Sequence, residues 1–196
     1  MKRQSETGKR DSIRAFICIE VPRAIQERIG RLQQALKKND AQISWVKSSN
    51  IHLTIKFLGD VPASRIETVR AGVERATHSA RKFEIEIGGA GCFPSPRNPR
   101  VLWVGLSHLS DALKQLQSNI ENELAREGFP REQKRFSPHL TIGRVRNPHN
   151  AARTTEDLIA QGFEPESFPV TEIIVMRSDL NPQGSIYTPQ AIIKLE

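Results

Sequence analysis

The chain has 196 residues, of which 37% are hydrophobic and 26% charged, and its 29 Lys and Arg outnumber 22 Asp and Glu to give a net charge of +7. These values are typical of a soluble globular protein with one large domain or two small lobes. No apolar run reaches the roughly 20 residues of a membrane span, and the start of the chain lacks a signal-peptide core, so we expect a cytoplasmic protein. The basic excess favours a polyanionic partner.

The first half of the chain predicts strands that alternate with helices. Residues 1–12 are polar and lack periodicity, which predicts a disordered basic tail. Residues 14–21 form a continuous apolar run, typical of a strand buried on both faces, and Pro22 opens an amphipathic helix. The elements expected next, in chain order, are strands at 43–46 and 52–58, a helix from near Pro62, and an alternating strand at 83–87.

The second half repeats this order. Residues 100–106 have the same basic-then-apolar shape as residues 14–20. The elements expected after them are a helix around 109–124, a strand from His139, a weaker helix at 155–161, and strands at 168–176 and 186–195. We therefore predict an α+β fold with a bilobal pseudo-two-fold duplication, in which two mostly antiparallel sheets line a central cleft and helices lie outside. Residues 13–196 are expected to form a single domain with approximate halves 13–97 and 98–196.

Two cysteines, Cys18 and Cys92, lie in apolar strand-like segments without a CxxC neighbour. This pattern argues against a disulfide framework or a zinc site, and both side chains are expected to be buried.

The most informative repeat is His-Leu-Thr-Ile, which begins at His52 and again at His139. Side chains alternate along a strand, so His52 shares a face with Thr54, and His139 shares a face with Thr141. Two imidazoles and two hydroxyls that converge on one cleft are suited to acid–base chemistry on a phosphate. A strand-forming sequence without a catalytic role does not need the same polar pair on one face twice.

The two repeats, His52-Leu-Thr-Ile-Lys-Phe57 and His139-Leu-Thr-Ile-Gly-Arg144, resemble the paired HxTx signatures of the 2H phosphoesterase superfamily. The flanking sequences resemble its bacterial and archaeal RNA 2',3'-cyclic phosphodiesterase branch, the 2'-5' RNA ligase family. They include Trp45-Val46, Gly91-Cys-Phe-Pro-Ser-Pro96 and Phe136-Ser-Pro-His139. The resemblance extends over nearly all of the chain from Arg14 onward.

This resemblance implies hydrolysis of 2',3'-cyclic phosphate ends of RNA or nucleotides to 2'-phosphates, with reversible 2'-5' ligation as a further activity. It implies that His52 is the proton donor and His139 the proton acceptor, while Thr54 and Thr141 bind the phosphate. It implies no cofactor, and because no carboxylate cluster accompanies the motifs, we expect no metal site. The expected partners are RNA or nucleotide ends that bear a cyclic phosphate, and the expected state is a monomer.

Four further residues lie in or near the motifs. The family pattern places a substrate-contacting arginine at Arg144, although an ideal strand points it away from His139 and only a bulge or strand end would re-aim it. Phe57 has the same position in the first repeat as Arg144 in the second, and it is expected to pack in the core. Lys56 is expected to be a solvated lysine. Phe93, in a Gly- and Pro-rich loop, is a candidate to stack on a nucleobase.

An alternative from another class is a non-catalytic basic RNA-binding module on the same fold. Intact His and Thr in both repeats argue against it, because binding alone does not need them.

Overall fold

The structure is a computed structural model that describes residues 12–39, 41–182 and 184–196. The tail predicted at residues 1–12 therefore lies, apart from Ser12, outside the described residues. The described residues form nine strands: β1 (Ser12–Glu20), β2 (Ile43–Trp45), β3 (His52–Pro62), β4 (Phe83–Phe93), β5 (Val101–Leu106), β6 (Leu140–Val145), β7 (Glu166–Val170), β8 (Glu172–Asn181) and β9 (Gly184–Lys194). They also form four α-helices: α1 (Arg23–Leu36), α2 (Ile66–Thr77), α3 (Asp111–Arg126) and α4 (Ala152–Gln161).

All four helices pack on the same side of the sheet; α1, α2 and α3 each bury an apolar stripe, whereas α4 buries Leu158 with two threonines. In α1 the predicted stripe is the buried one, from Ile25 to Leu36, and in α3 the side chain of Ser110 caps the helix by accepting a hydrogen bond from the Leu113 amide. Side chains from all four helices join Leu53 and Leu140 in the main hydrophobic core. The opposite side of the sheet is therefore free of helices among the described residues.

The strands form one curled antiparallel sheet, where the sequence predicted two sheets. Its order is β7-β4-β5-β6-β3-β1-β8-β9, and β2 pairs with β6. Every pairing recorded among the described strands is antiparallel. Within the described residues β3 and β6 pair only at Leu53 and Leu140, so the sheet has two halves with a narrow join. The two sheets predicted to line a central cleft are therefore one sheet with this narrow join.

Each half of the sheet contains strands from both halves of the chain. β4 comes from the first half of the chain but pairs with β5, and β8 comes from the second half but pairs with β1. The apolar run at 168–176 is interrupted at Thr171, and the two strands it forms pair in different halves of the sheet. Which strands pair depends on contacts between them. The hydrophobic pattern of a single strand does not identify its neighbour in the sheet.

β1 is buried on both faces, as predicted. Ala15 to Ile19 are at most 4% exposed, and Phe16 and Cys18 are covered on the helix-free side by Ile174, Met176 and Tyr187. Cys18 and Cys92 are both buried and unbonded, as predicted. No helix in the described ranges is long and apolar enough to cross a membrane.

Candidate active site

The two repeats meet where the halves of the sheet join. Leu53 and Leu140 face each other across this join and are buried in the core. Because side chains alternate along strands, the residues on either side of each leucine point to the helix-free face. His52, Thr54, His139 and Thr141 are all half-buried there. The structure thus brings the four predicted residues to one face of one join.

A bulge in each repeat re-aims the residues that follow it. In β6, Thr141 pairs with Trp103 and Gly143 with Leu102, so Ile142 has no partner in β5. The extra residue reverses the alternation, and Val145 turns to the core while Arg144 is exposed on the side of His139. A bulge, one of the two features that could re-aim Arg144, is therefore present, and it directs Arg144 to the face that carries the histidines.

Each histidine is held by the backbone carbonyl two residues before it. His52 Nδ1 lies 2.8 Å from the Asn50 carbonyl oxygen, and His139 Nδ1 lies 2.8 Å from the Ser137 carbonyl oxygen. A carbonyl oxygen only accepts, so both Nδ1 atoms donate a hydrogen. The Nε2 atoms are left to take or give a proton, the arrangement that acid–base catalysis requires.

Aromatic rings surround both imidazoles. Phe16 stacks on His52 with ring centroids 4.6 Å apart, and Tyr187 meets the same imidazole edge-on at 5.2 Å. The Phe93 ring meets His139 edge-on at 5.0 Å and lies 5.3 Å from Trp103. The structure therefore places Phe93 beside one of the predicted histidines.

Burial is the first cause of a lowered pKa in both histidines. The hydrogen bond that each Nδ1 donates raises the pKa and offsets part of this effect, and the positive charge of Arg144 lowers it again. Arg144 acts on both His52 and His139, which places its guanidinium within electrostatic range of the two imidazoles. Both rings are therefore biased toward the neutral form in the free protein.

The described residues contain no group of three or more His, Cys, Asp and Glu arranged to hold a metal ion. The polar groups that converge on the join are imidazoles, hydroxyls and a guanidinium.

The sequence of residues 21–182 matches the family model of the 2'-5' RNA ligase superfamily. The chain belongs to the 2'-5' RNA ligase superfamily. A relative from Methanothermobacter thermautotrophicus named RNA 2',3'-cyclic phosphodiesterase is 36% identical over 93% of this chain and 99% of its own length. A Thermotoga maritima protein of the same name is 33% identical over 89% of this chain and 91% of its own length. The family recognised from the repeats is thereby confirmed.

Solved structures support the same α+β fold for this superfamily member. Apo LigT from E. coli superposes with a TM-score of 0.74 at 26% identity, covering 94% of this chain and 98% of LigT. Another crystal structure of LigT contains 3'-AMP. The protein TT0787 from Thermus thermophilus superposes with a TM-score of 0.76 over 93% and 98% of the two chains, and at 22% identity it supports the fold alone.

Two expectations about the first repeat are wrong, and one bulge explains both. In β3, Thr54 pairs with Cys18 and Lys56 with Ile17, so Ile55 is the extra residue. Lys56, expected in solvent, is 2% exposed and bonded to Glu121 of α3. Phe57, expected in the core, is 56% exposed. Pairing with β1 creates this bulge, and the pattern of one strand does not reveal it.

Sequence reasoning also missed two residues that shape the surroundings of His52. Tyr187, the one tyrosine of the chain, packs against the His52 ring from β9. Asn50 supplies the carbonyl for His52, and its side-chain amide donates to the Ser185 carbonyl oxygen at 2.7 Å. The available signal for Asn50 was its place two residues before a repeat histidine. Tyr187 had none, because only the β1–β8–β9 pairing brings it close.

Proposed function

We propose that this protein hydrolyses the 2',3'-cyclic phosphate ends of RNA or nucleotides to 2'-phosphates by paired histidine acid–base catalysis. The observation that carries the proposal is the convergence of His52, Thr54, His139 and Thr141 at one sheet join, with both Nδ1 atoms bound to carbonyl oxygens. The names of the curated relatives support the same activity.

The chemistry needs one proton removed and one delivered. Neutral His139 takes a proton from water through Nε2 as the water oxygen attacks phosphorus. His52, protonated, gives a proton from Nε2 to the 3' oxygen as the P–O3' bond breaks, which leaves the phosphate on the 2' oxygen. The direction of this proton flow follows the resemblance to the 2H phosphoesterases, since the local bonds of the two rings are alike.

The neighbouring groups bind and orient the phosphate. Thr54 and Thr141 donate hydroxyl hydrogen bonds to the non-bridging oxygens, and Arg144 stabilises the charge that grows on them. Phe93 packs against His139 at the edge of the substrate site. When a 5'-hydroxyl replaces water, His139 takes its proton, His52 again protonates the departing 3' oxygen, and a 2'-5' bond forms; in the reverse cleavage the 3'-hydroxyl attacks and the two histidines exchange roles.

Residues 13–196 act in this proposal as a single domain. One chain supplies both repeats, so the site needs no second copy, and we propose a monomer without a cofactor.

The direct test replaces each histidine and measures hydrolysis of 2',3'-cyclic AMP in the presence of EDTA. We expect His52→Ala and His139→Ala each to lower kcat about 10²–10⁴-fold, the usual contribution of a general acid or base. Chromatography of the product from the wild-type protein should give the 2'-phosphate. His149→Ala is the matched control, since His149 is exposed on the turn Pro148–Asn150.

Full activity in either histidine variant would contradict the mechanism, as would activity that EDTA abolishes and a divalent metal restores. Tight RNA binding without turnover would favour the binding-module alternative.

A further inference from the structure

Strand β9 lies outside both repeats, yet it supports His52 in two ways. The carbonyl oxygen of Ser185 accepts a hydrogen bond of 2.7 Å from the side-chain amide of Asn50. Asn50 in turn accepts the Nδ1 hydrogen of His52 at its own carbonyl oxygen, at 2.8 Å. Two residues after Ser185, the Tyr187 ring meets the His52 imidazole edge-on, with ring centroids 5.2 Å apart. One strand therefore holds both the imidazole and the residue that binds its Nδ1 atom.

Tyr187 belongs to a small apolar cluster on the helix-free side of the sheet. Phe16 and Met176 are buried in this cluster, and Tyr187 packs against it from β9. The Phe16 ring stacks on His52 at 4.6 Å and meets Tyr187 edge-on at 5.2 Å, so each of the three rings contacts the other two. Stacked and edge-on ring pairs at these distances are favourable and have a defined geometry. The imidazole of His52 is therefore held by rings on two sides.

The support of His139 is simpler. Its Nδ1 also donates to a carbonyl oxygen, that of Ser137, but within the described residues no hydrogen bond joins Ser137 to another strand. Phe93 is the one aromatic ring in the same part of the chain that contacts the His139 imidazole, and it does so edge-on. The double contact with β9 is therefore specific to His52.

We propose that β9 is a positioning strand for His52 and acts through Asn50 and Tyr187. The assignment rests on the proposed function, in which His52 must keep its Nε2 atom directed at the ribose oxygen of the substrate. A ring that is fixed before the substrate binds loses no further freedom on the way to the transition state, and a small displacement of such a group is costly. Asn50 and Tyr187 contact no reacting atom and act only through the imidazole.

A small cavity adjoins this contact. It has a volume of about 100 Å³, and Asn50, His52 and Tyr187 are among the residues that line it. Loss of the Tyr187 ring would extend the cavity to the imidazole and admit water. The substitutions below leave in place the other charged or titratable groups on the face around His52: Cys18 and Glu20 of β1, and His139 and Arg144 of β6.

The test measures hydrolysis of 2',3'-cyclic AMP and, in the free protein, the pKa of each imidazole by NMR titration. Tyr187→Leu should lower kcat about tenfold with KM little changed, because the imidazole is displaced while the phosphate-binding groups remain. It should also raise the pKa of His52, because water that reaches the ring relieves the burial that lowers this pKa. Tyr187→Phe keeps the ring and should behave as the wild-type protein does.

Asn50→Ala tests the hydrogen-bonded half of the contact, because it removes the side-chain amide and keeps the backbone carbonyl. We expect kcat to fall about threefold. The pKa of His52 should fall, since the Nδ1 hydrogen bond that raises this pKa is weakened. Asn119→Ala is the matched control: its amide also donates to a backbone carbonyl oxygen, that of Ala76, between α3 and α2. This control should leave kcat and both pKa values unchanged.

Phe93→Leu makes the corresponding change beside His139 and should raise the pKa of His139 alone. A pKa of His52 that neither Tyr187→Leu nor Asn50→Ala moves would overturn the proposal. Equal shifts of His52 and His139 in these variants would also overturn it, because they indicate a general structural effect. If Tyr187→Leu does not fold, Asn50→Ala decides alone: a lower pKa of His52 with His139 unmoved supports the proposal, and any other result overturns it.

The proposed function can fail separately. A wild-type protein that does not hydrolyse 2',3'-cyclic AMP would refute the phosphodiesterase assignment. The NMR titration needs no turnover and would then decide the role of β9 by itself. Opposite shifts of the His52 pKa in Tyr187→Leu and Asn50→Ala, with His139 unmoved, support the positioning role, and any other pattern overturns it.

Discussion

Each imidazole of the site has one nitrogen already engaged by a backbone carbonyl. The Nδ1 bonds of His52 and His139 have the same length and the same sequence offset, so they give both rings the same tautomer. Their aromatic neighbours differ: His52 is stacked on Phe16, whereas His139 meets only the edge of Phe93. The backbone hydrogen bonds are thus the same for both rings and do not determine which histidine acts as the acid in the proposed mechanism. The orientation of the bound substrate determines it instead.

Arg144 gives a test of this arrangement through pH. Its positive charge lowers the pKa of both histidines, so Arg144→Gln should raise both pKa values. In the proposed mechanism the acidic limb of kcat/KM reports protonation of His139, and the alkaline limb reports deprotonation of His52. Both limbs should therefore move to higher pH in the variant, as measured by the pH profile for 2',3'-cyclic AMP hydrolysis.

The control is Arg153→Gln, which removes the same charge from an exposed position on α4. An unmoved profile in Arg144→Gln, or limbs that move in opposite directions, would show that Arg144 does not act on the two rings together.

At the scale of elements, a buried ion pair joins the first repeat to the segment that leads into the second. Lys56 Nζ donates to both carboxylate oxygens of Glu121 at 2.9 and 2.8 Å and to the Pro130 carbonyl oxygen at 2.8 Å. Glu121 also accepts from the Glu132 amide at 3.3 Å. The pair therefore connects β3, α3 and the segment before His139, and all three ammonium hydrogens are used.

Removal of one partner should be costly. Lys56→Met leaves the Glu121 carboxylate buried without a cation, so we expect a loss of about 3–5 kcal/mol in the free energy of unfolding, measured by urea denaturation. The double variant Lys56→Met with Glu121→Leu should recover part of that loss, because it removes the unpaired charge as well. A single-variant loss below about 1 kcal/mol would mean that water reaches the carboxylate and the pair does not hold the segment.

These elements show which features were predictable from the chain. The apolar stripes of α1 and α3 and the shared face of His52 and Thr54 depend on residues a few positions apart, and the sequence predicts them correctly. The burial of Lys56 depends on its ion pair with Glu121, a residue 65 positions away in the chain. The bulge at Ile55 likewise exists only because β3 pairs with β1. Contacts between residues so far apart in the chain leave no mark on the local hydrophobic periodicity from which the elements are predicted.

At the scale of the whole molecule, the site lies where the sheet is least continuous. The halves of the sheet share one β3–β6 residue pair among the described residues. β2, which comes from the first half of the chain, also pairs with β6. Gln33 of α1 fastens the helix to the β2–β6 pair by donating to the carbonyl oxygens of Val46 and Ile142, each at 2.8 Å. The separation of the histidines thus depends on how the two halves are held together, which no single motif determines.

The net charge of +7 also acts at this scale, and part of it lies in the segment that leads into the second repeat. Arg131, Lys134 and Arg135 are exposed in the segment between α3 and His139. Lys and Arg that contact the phosphates of a single strand make binding salt-dependent, with a slope of about −0.7 per contact in log K against log salt. We therefore expect this segment to bind the strand that continues from the cyclic end.

The measurement is KM as a function of salt for an oligonucleotide with a 2',3'-cyclic phosphate end, beside 2',3'-cyclic AMP. Replacement of Arg131, Lys134 and Arg135 by Gln should flatten the oligonucleotide slope by about 2 and leave the cyclic AMP values nearly unchanged. The matched control replaces Arg31, Lys37 and Lys38, which are also exposed, on or just after α1, on the helix-covered side. Equal slopes in the two triple variants would mean that the strand binds through overall charge rather than through this segment.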